Sequence, residues 1–128
     1  MLSTRVICWG LFLGLFLDQA TKYFFNVVLT LYQPVTVIPK VLQFQLVYNS
    51  GAAYGLFANP RFILLMVSLA VIFGIVIFWN YLSESLKVAF LWIFVGAVGN
   101  FLDRFILGFV IDFIDIHIIP VFNFADIF

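Results

Sequence analysis

The amino-acid sequence predicts an all-α integral membrane protein, with three transmembrane helices and a small β-sheet at the membrane surface. Three observations predict it. Of the 128 residues, 66% are hydrophobic and only 9% charged, whereas a soluble domain carries about 25% charged residues. Three apolar stretches approach the roughly 20 residues that a helix needs to cross a bilayer core. Between the first two lies a stretch, 30–61, that contains Pro34, Pro39 and Pro60 and cannot be one helix.

The same composition excludes several classes. So few charges cannot cover a water-facing surface, which excludes a soluble globular enzyme and a disordered chain. Six Lys and Arg balance six Asp and Glu, so no basic excess attracts nucleic acid. Cys8 is the sole cysteine and cannot form an internal disulfide.

The elements follow in order. The first span covers about 6–29, and Val6 to Leu17 carries no charge. Arg5 ahead of this run imitates a signal peptide, but no small-x-small cleavage site follows, so the span is retained. Within 30–61, Val35 to Ile38 is β-prone and Gln43 to Leu46 alternates with period two, a strand signal. The second span, 62–79, is apolar except for Ser68. The third, 88–107, is apolar until Asn100, Asp103 and Arg104 interrupt it. The tail 108–128 is too polar for a lipid-exposed span, because Asp112, Asp115 and His117 stud it and Pro120 breaks it. Three spans put the loop 30–61 and the tail on one side, with the N-terminus and the link 80–87 on the other. Arg5 and Lys87 face Lys40 and Arg61 across the bilayer, so charge bias does not orient the chain.

A charge at membrane depth costs about 2.5–3.5 kcal/mol even on a lenient scale, so each needs a reason. Gly10, Gly14, Asp18 and Lys22 recur every fourth residue and form a stripe on one helix face. The glycines admit a neighbouring helix, and Asp18 can pair with Lys22 at i,i+4. Gly96, Gly99, Asn100 and Asp103 share a face of the third span, with Arg104 beside it. Asp103 and Arg104 can equally be read as headgroup anchors. In the tail, Asn123 and Asp126 have the spacing of a helix start. The acids there are either solvated at the interface or paired for chemistry. Two carboxylates about 4 Å apart repel by about 4 kcal/mol at an effective dielectric of about 20. That is about three pK units, enough to keep one protonated near neutral pH. Such a pair can split water: the base takes its proton and the acid donates to the carbonyl oxygen or leaving amine.

Other chemistries lack their parts. His117 stands alone among possible zinc ligands. Cys8 and the serines have no His arrangement to activate them. Gly51 to Gly55 lacks the Lys of a phosphate loop and reads as a turn or a close backbone approach beside a site.

Four runs of the chain, taken together, carry a resemblance. They are Leu17-Asp18-Gln19-Ala20-Thr21-Lys22, Tyr48-Asn49-Ser50-Gly51-Ala52-Ala53-Tyr54, Gly96 to Arg104 continuing through Gly108 to Asp115, and Phe122-Asn123-Phe124-Ala125-Asp126. In order and spacing the chain resembles the bacterial lipoprotein signal peptidases, also called signal peptidase II. The resemblance implies an intramembrane aspartic endopeptidase that cuts prolipoproteins just before a diacylglyceryl-modified cysteine. It implies Asp112 and Asp126 as the catalytic pair. It implies Asp18, Lys22, Asn49, Gly51, Asn100, Asp103, Arg104 and Asn123 as polar residues that shape the site or bind substrate. It further implies a multi-pass protein of the bacterial cytoplasmic (inner) membrane, with its N-terminus in the cytoplasm and its sheet and site at the outer face. Lipid-anchored prolipoproteins and membrane lipid are the expected partners. We expect a monomer, no nucleic acid, no metal and no other cofactor.

One departure from the family pattern is visible. The family has a fourth membrane helix beginning at the motif that here ends in Asp126, and this sequence stops at Phe128. The expectation is a single peptidase domain over 1–128, truncated at its C-terminus and weakly active at best, since a catalytic carboxylate needs rigid support. From the residues alone two other readings stay open: a small proton or ion pathway through Asp18, Lys22, Asp103 and Arg104, and a non-catalytic assembly subunit that docks a partner helix on Gly10 and Gly14.

Overall fold

The computed structural model describes residues 3–51 and 60–128. Three helices carry a three-stranded sheet at one end. Helix α1 runs Thr4–Val28, α2 Pro60–Phe78 and α3 Glu84–Ile106. Strands β1 (Val35–Ile38) and β2 (Leu42–Asn49) lie between α1 and α2, and β3 (Val110–Asp115) follows α3. A 3-10 turn, Phe124–Asp126, closes the chain.

Local chemistry sets the helix ends. Ser3 and Ser83 are N-caps whose side chains accept from Val6 and Leu86. Helix α3 therefore starts four residues ahead of the expected span, with Glu84 in its first turn where the helix dipole favours an acid. At its other end Gly108 takes φ +91, a left-handed conformation that reverses the chain into β3. Helices α2 and α3 are apolar and long enough to cross a membrane. Their outward side chains, such as Phe73, Ile77 and Phe105, are large, apolar and exposed.

The glycines of α1 face α3. A Cβ at Gly10 would meet the Leu91 side chain at 2.9 Å, and one at Gly14 would meet Val95 and Trp92 at 2.8 and 3.0 Å. That face is thus filled from within the chain and not open to a partner helix. Close approach there brings Asp18 and Lys22 against the second half of α3.

The sheet is antiparallel with order β1-β2-β3. Strand β1 occupies the expected residues, and β2 extends the expected run at both ends. The sequence reading missed β3 altogether. Its residues are almost all buried, so no alternation marks it as a strand. Phe113, fully buried, stacks on Phe25 at 4.3 Å, and Phe25 also meets Phe44 at 4.6 Å. Aromatic pairs of this kind add about 0.5–1.5 kcal/mol beyond area burial. They fix the sheet to the last turns of α1, which sets the height of β3 against α3.

Candidate active site

Asp112 is placed by β3. It lies opposite Val47 of β2, and the register sets Asn49 diagonally across from it. Asn49 Nδ2 donates to Asp112 Oδ2 at 2.9 Å, and Asn49 Oδ1 accepts from the Gly51 N–H at 2.8 Å. Gly51 has φ +76, a conformation that suits glycine. The Gly51–Gly55 stretch otherwise lies outside the described residues.

Asp126 is placed by the final turn. Asn123 caps it: Asn123 Oδ1 accepts from the Asp126 N–H at 3.2 Å, and the Asn123 N–H donates to Asp126 Oδ2 at 3.1 Å. The helix start expected at Asn123–Asp126 is therefore present as a 3-10 turn. The same Asn123 donates through Nδ2 to Asp112 Oδ1 at 2.6 Å. One residue thus ties the two carboxylates together.

A second bridge comes from α3. Asn100 Nδ2 donates to Asp126 Oδ1 at 2.8 Å, while Asn100 Oδ1 accepts from Asn123 Nδ2 at 3.2 Å and from Lys22 Nζ at 3.0 Å. Lys22 also pairs with Asp18 at 2.9 Å and Asp103 at 3.1 Å, and all three side chains are buried. The ammonium's three donors are all engaged. Asp18 Oδ1 accepts the Ala125 N–H at 3.1 Å, so α1 directly holds the turn that carries Asp126. Asp103 Oδ2 accepts the Ile111 N–H at 3.2 Å, next to Asp112. Asp103 is therefore not a headgroup anchor. A carboxylate among three donors has its solvation replaced inside the fold. Arg104 is half-buried and interacts electrostatically with Asp103, Asp112 and Asp126.

The two central acids differ in surroundings. Asp112 is 2% exposed and Asp126 is exposed. Burial, and then the nearby Asp126 charge, push the Asp112 carboxyl up to about 6, against the N–H donors of Asn49 and Asn123 and the charge of Lys22. Asp115 goes the other way. The His117 N–H, with help from Gln43, holds its carboxyl below the usual range. It sits on the far side of the sheet network and joins neither bridge. His117 Nδ1 lies 3.7 Å from Asp115 Oδ2. Among the described residues, no three His, Cys, Asp or Glu side chains are grouped to hold a metal.

Two polar residues escaped the sequence reading. Gln19 Nε2 reaches Asp18 Oδ2 and Asp103 Oδ1, both at 3.0 Å, and so helps to hold the buried acids. Its position at membrane depth beside Asp18 was the available signal. Arg61 donates through Nε to the Arg104 carbonyl at 2.9 Å and through a terminal nitrogen to the Phe105 carbonyl at 3.1 Å. It thereby caps α3 just ahead of β3. A cation in the first turn of a helix is unfavourable there, which hinted at a partner elsewhere.

Two carboxylates tied to one asparagine on a frame of apolar helices fit the class of aspartic peptidases set in a membrane. Comparison with known proteins narrows the class. The family profile described as signal peptidase (SPase) II matches residues 11–128, and the chain belongs to that family. It is 38% identical over 130 residues to a lipoprotein signal peptidase of Pseudomonas putida, which covers 92% of this chain and 76% of the relative. It is 37% identical over 132 residues to that of Trichormus variabilis, covering 98% and 83%. Two solved structures, both described as a bacterial membrane enzyme determined by the in meso method, share the fold. One superposes with TM-score 0.85 at 28% identity, covering 96% of this chain and 84% of the other; the second gives 0.82 at 29%, covering 96% and 79%.

Proposed function

We propose that this chain removes signal peptides from bacterial prolipoproteins by hydrolysis just before a diacylglyceryl-modified cysteine, with Asp112 and Asp126 as the catalytic pair. The observation that carries the reading is the double use of Asn123, whose side chain serves Asp112 while its backbone serves Asp126. Residues distant along the chain are drawn into one two-carboxylate centre.

The difference in burial supports a division of labour. Asp112 holds the shared proton at rest, and Asp126 is the ionised base. Asp126 takes a proton from water as the oxygen attacks the scissile carbonyl carbon. Asp112 gives its proton to the carbonyl oxygen, and a gem-diol forms. Asp126 then returns its proton to the departing amine nitrogen as the C–N bond breaks, and Asp112 regains one from a diol hydroxyl. Asp18, Lys22, Asn100, Asp103 and Asn123 hold the pair in place. Asn49 with Gly51 steadies Asp112 from the β2 side, and Arg104 supplies positive charge beside both acids. No metal or other cofactor takes part.

The exposed apolar side of α1, with Trp9, Phe12 and Phe16, supports it as a third span whose charged residues face inward. The sheet then rests at the outer face of the cytoplasmic membrane, with the N-terminus in the cytoplasm. Exposed Val35, Val37, Ile38 and Val41 suit a lipid interface. The substrate is membrane-anchored, and its acyl chains lie between the helices and the sheet. The chain works as a single monomeric domain. The test is mass spectrometry of a diacylglyceryl-modified prolipoprotein incubated with the chain in lipid. Release of a product beginning at the lipidated cysteine supports the reading, and cleavage elsewhere or none overturns it.

A further inference from the structure

The amide groups around the two acids have a common polarity, and its origin can be traced. An asparagine side chain can present either its oxygen or its nitrogen to a neighbour, and only its other partners decide which. Asn49 is fixed by the Gly51 N–H and Asn123 by the Asp126 N–H, each a group that can only donate. Asn100 is fixed by Lys22 Nζ at 3.0 Å, again a pure donor. The second donor to the same oxygen, Asn123 Nδ2, is longer at 3.2 Å and already committed to Asp112.

Building on the catalytic reading above, we propose that Lys22 is a positioning residue for the reaction. By holding the carbonyl end of the Asn100 amide, it ensures that an N–H, and not an oxygen, meets Asp126. Lys22 itself is 1% exposed and has no path to substrate. Its three bonds are to Asp18, Asp103 and Asn100, and of these only the bond to Asn100 leads through one side chain to the Asp126 carboxylate. If the amide turned over, Asp126 would face an oxygen and could hold that contact only by keeping a proton. A protonated Asp126 cannot take one from water.

The charged groups facing this amide and Asp126 come from three elements. Helix α1 contributes Asp18 and Lys22, α3 contributes Asp103 and Arg104, and β3 contributes Asp112. Arg104 acts on both central acids as charge, and Lys22 acts as charge on Asp112 and by a hydrogen bond on the amide that meets Asp126, so the Asn100→Leu background separates its two effects.

The experiment measures kcat and KM against pH for the full chain in lipid with a diacylglyceryl-cysteine lipopeptide, for Lys22→Met, Asn100→Leu and the double variant. Expected for Lys22→Met is a kcat lowered about tenfold to a hundredfold with KM within about twofold, and an acid limb moved up by about one pH unit. In the Asn100→Leu background, the Lys22 substitution should move the acid limb no further. Should Lys22→Met fail to fold, Asn100→Leu alone still tests the contact that Lys22 sets: its acid limb should move up by about one pH unit, and a limb that coincides with the parent's overturns the relay. The relay is overturned if the acid limb of the Lys22 variant coincides with that of the parent, or if the two substitutions shift it additively. A second readout needs no turnover. The Asp126 carboxylate stretch, isolated at one pH as the infrared difference between the chain and its Asp126→Asn variant, should shift in frequency without Lys22, because the Asn100 N–H no longer donates to it, and an unshifted band overturns the relay. If cleavage survives Asp126→Asn, the catalytic reading falls, and the infrared difference still decides the relay.

Discussion

Asn123 Nδ2 lies 2.6 Å from Asp112 Oδ1, and this contact orients the more buried of the two central acids. The same asparagine caps the turn that carries Asp126. A capping residue, commonly a device of helix stability alone, here also donates to a second acid on another element. Four consequences can be measured.

Replacing Asp112 or Asp126 by Asn should lower kcat/KM by at least about a hundredfold, the lower range of acid–base contributions. Asp112→Asn also sets an amide nitrogen against the Asn49 or Asn123 donors, so its melting temperature must be measured beside its activity. Lipopeptide cleavage by either variant at near-parental rates would falsify the pairing. Adding a strong chelator should leave the parent's rate unchanged, and a loss of rate restored by a divalent ion would contradict the two-carboxylate mechanism.

A pair that works with one shared proton gives a bell-shaped dependence of kcat/KM on pH. The limb to which Asp112 contributes is expected near pH 6, above the usual carboxylate range, because burial raises its carboxyl. Stability follows the same group. Its folded value is raised, so its stabilising contribution is full below about pH 4 and is lost as pH rises through about 6. The loss is about 3 kcal/mol at most. Denaturation at pH 4.5 and 7 should register it after subtraction of the Asp112→Asn variant, and a flat difference would contradict it.

Gly96→Ala should separate the helix from the site. A Cβ there would overlap the Ala125 carbonyl oxygen, which belongs to the turn carrying Asp126. Cleavage should fall by about tenfold or more, in line with the sensitivity of catalysis to ångström displacements. Helix content by circular dichroism should persist. Gly74→Ala is the control. Nothing lies within 4 Å of its Cβ position, so it should be neutral or stabilising by up to about 1 kcal/mol.

Arg61→Met should leave two carbonyls at the end of α3 without their charged donor. A loss of about 1–3 kcal/mol is expected from bonds to a charged group. Thermal unfolding in detergent measures it. If Arg61→Met unfolds with the parent, the cap contributes nothing.

The frame was legible in the sequence wherever one residue's chemistry sufficed. Apolar runs gave the helices, Val35 to Ile38 gave a short strand, and the Asn123–Asp126 spacing gave the last turn. Strand β3 was hidden because a strand buried on both faces shows no alternation, and its acids read as a polar tail. Asp103 looked like a headgroup anchor because its position near the end of the run says nothing of which way it faces.

Composition alone determined that this chain lives among lipids, since 9% charged residues cannot solvate a surface, and its motif spacing pointed to a peptidase family. Only the tertiary structure decided which polar residues meet. The contact from the Ala125 N–H to Asp18 spans 107 positions, and no local rule reaches so far. Its physical cause is close helix packing at Gly14 and Gly99, which lets α1 and α3 bring their buried charges to the turn that bears Asp126.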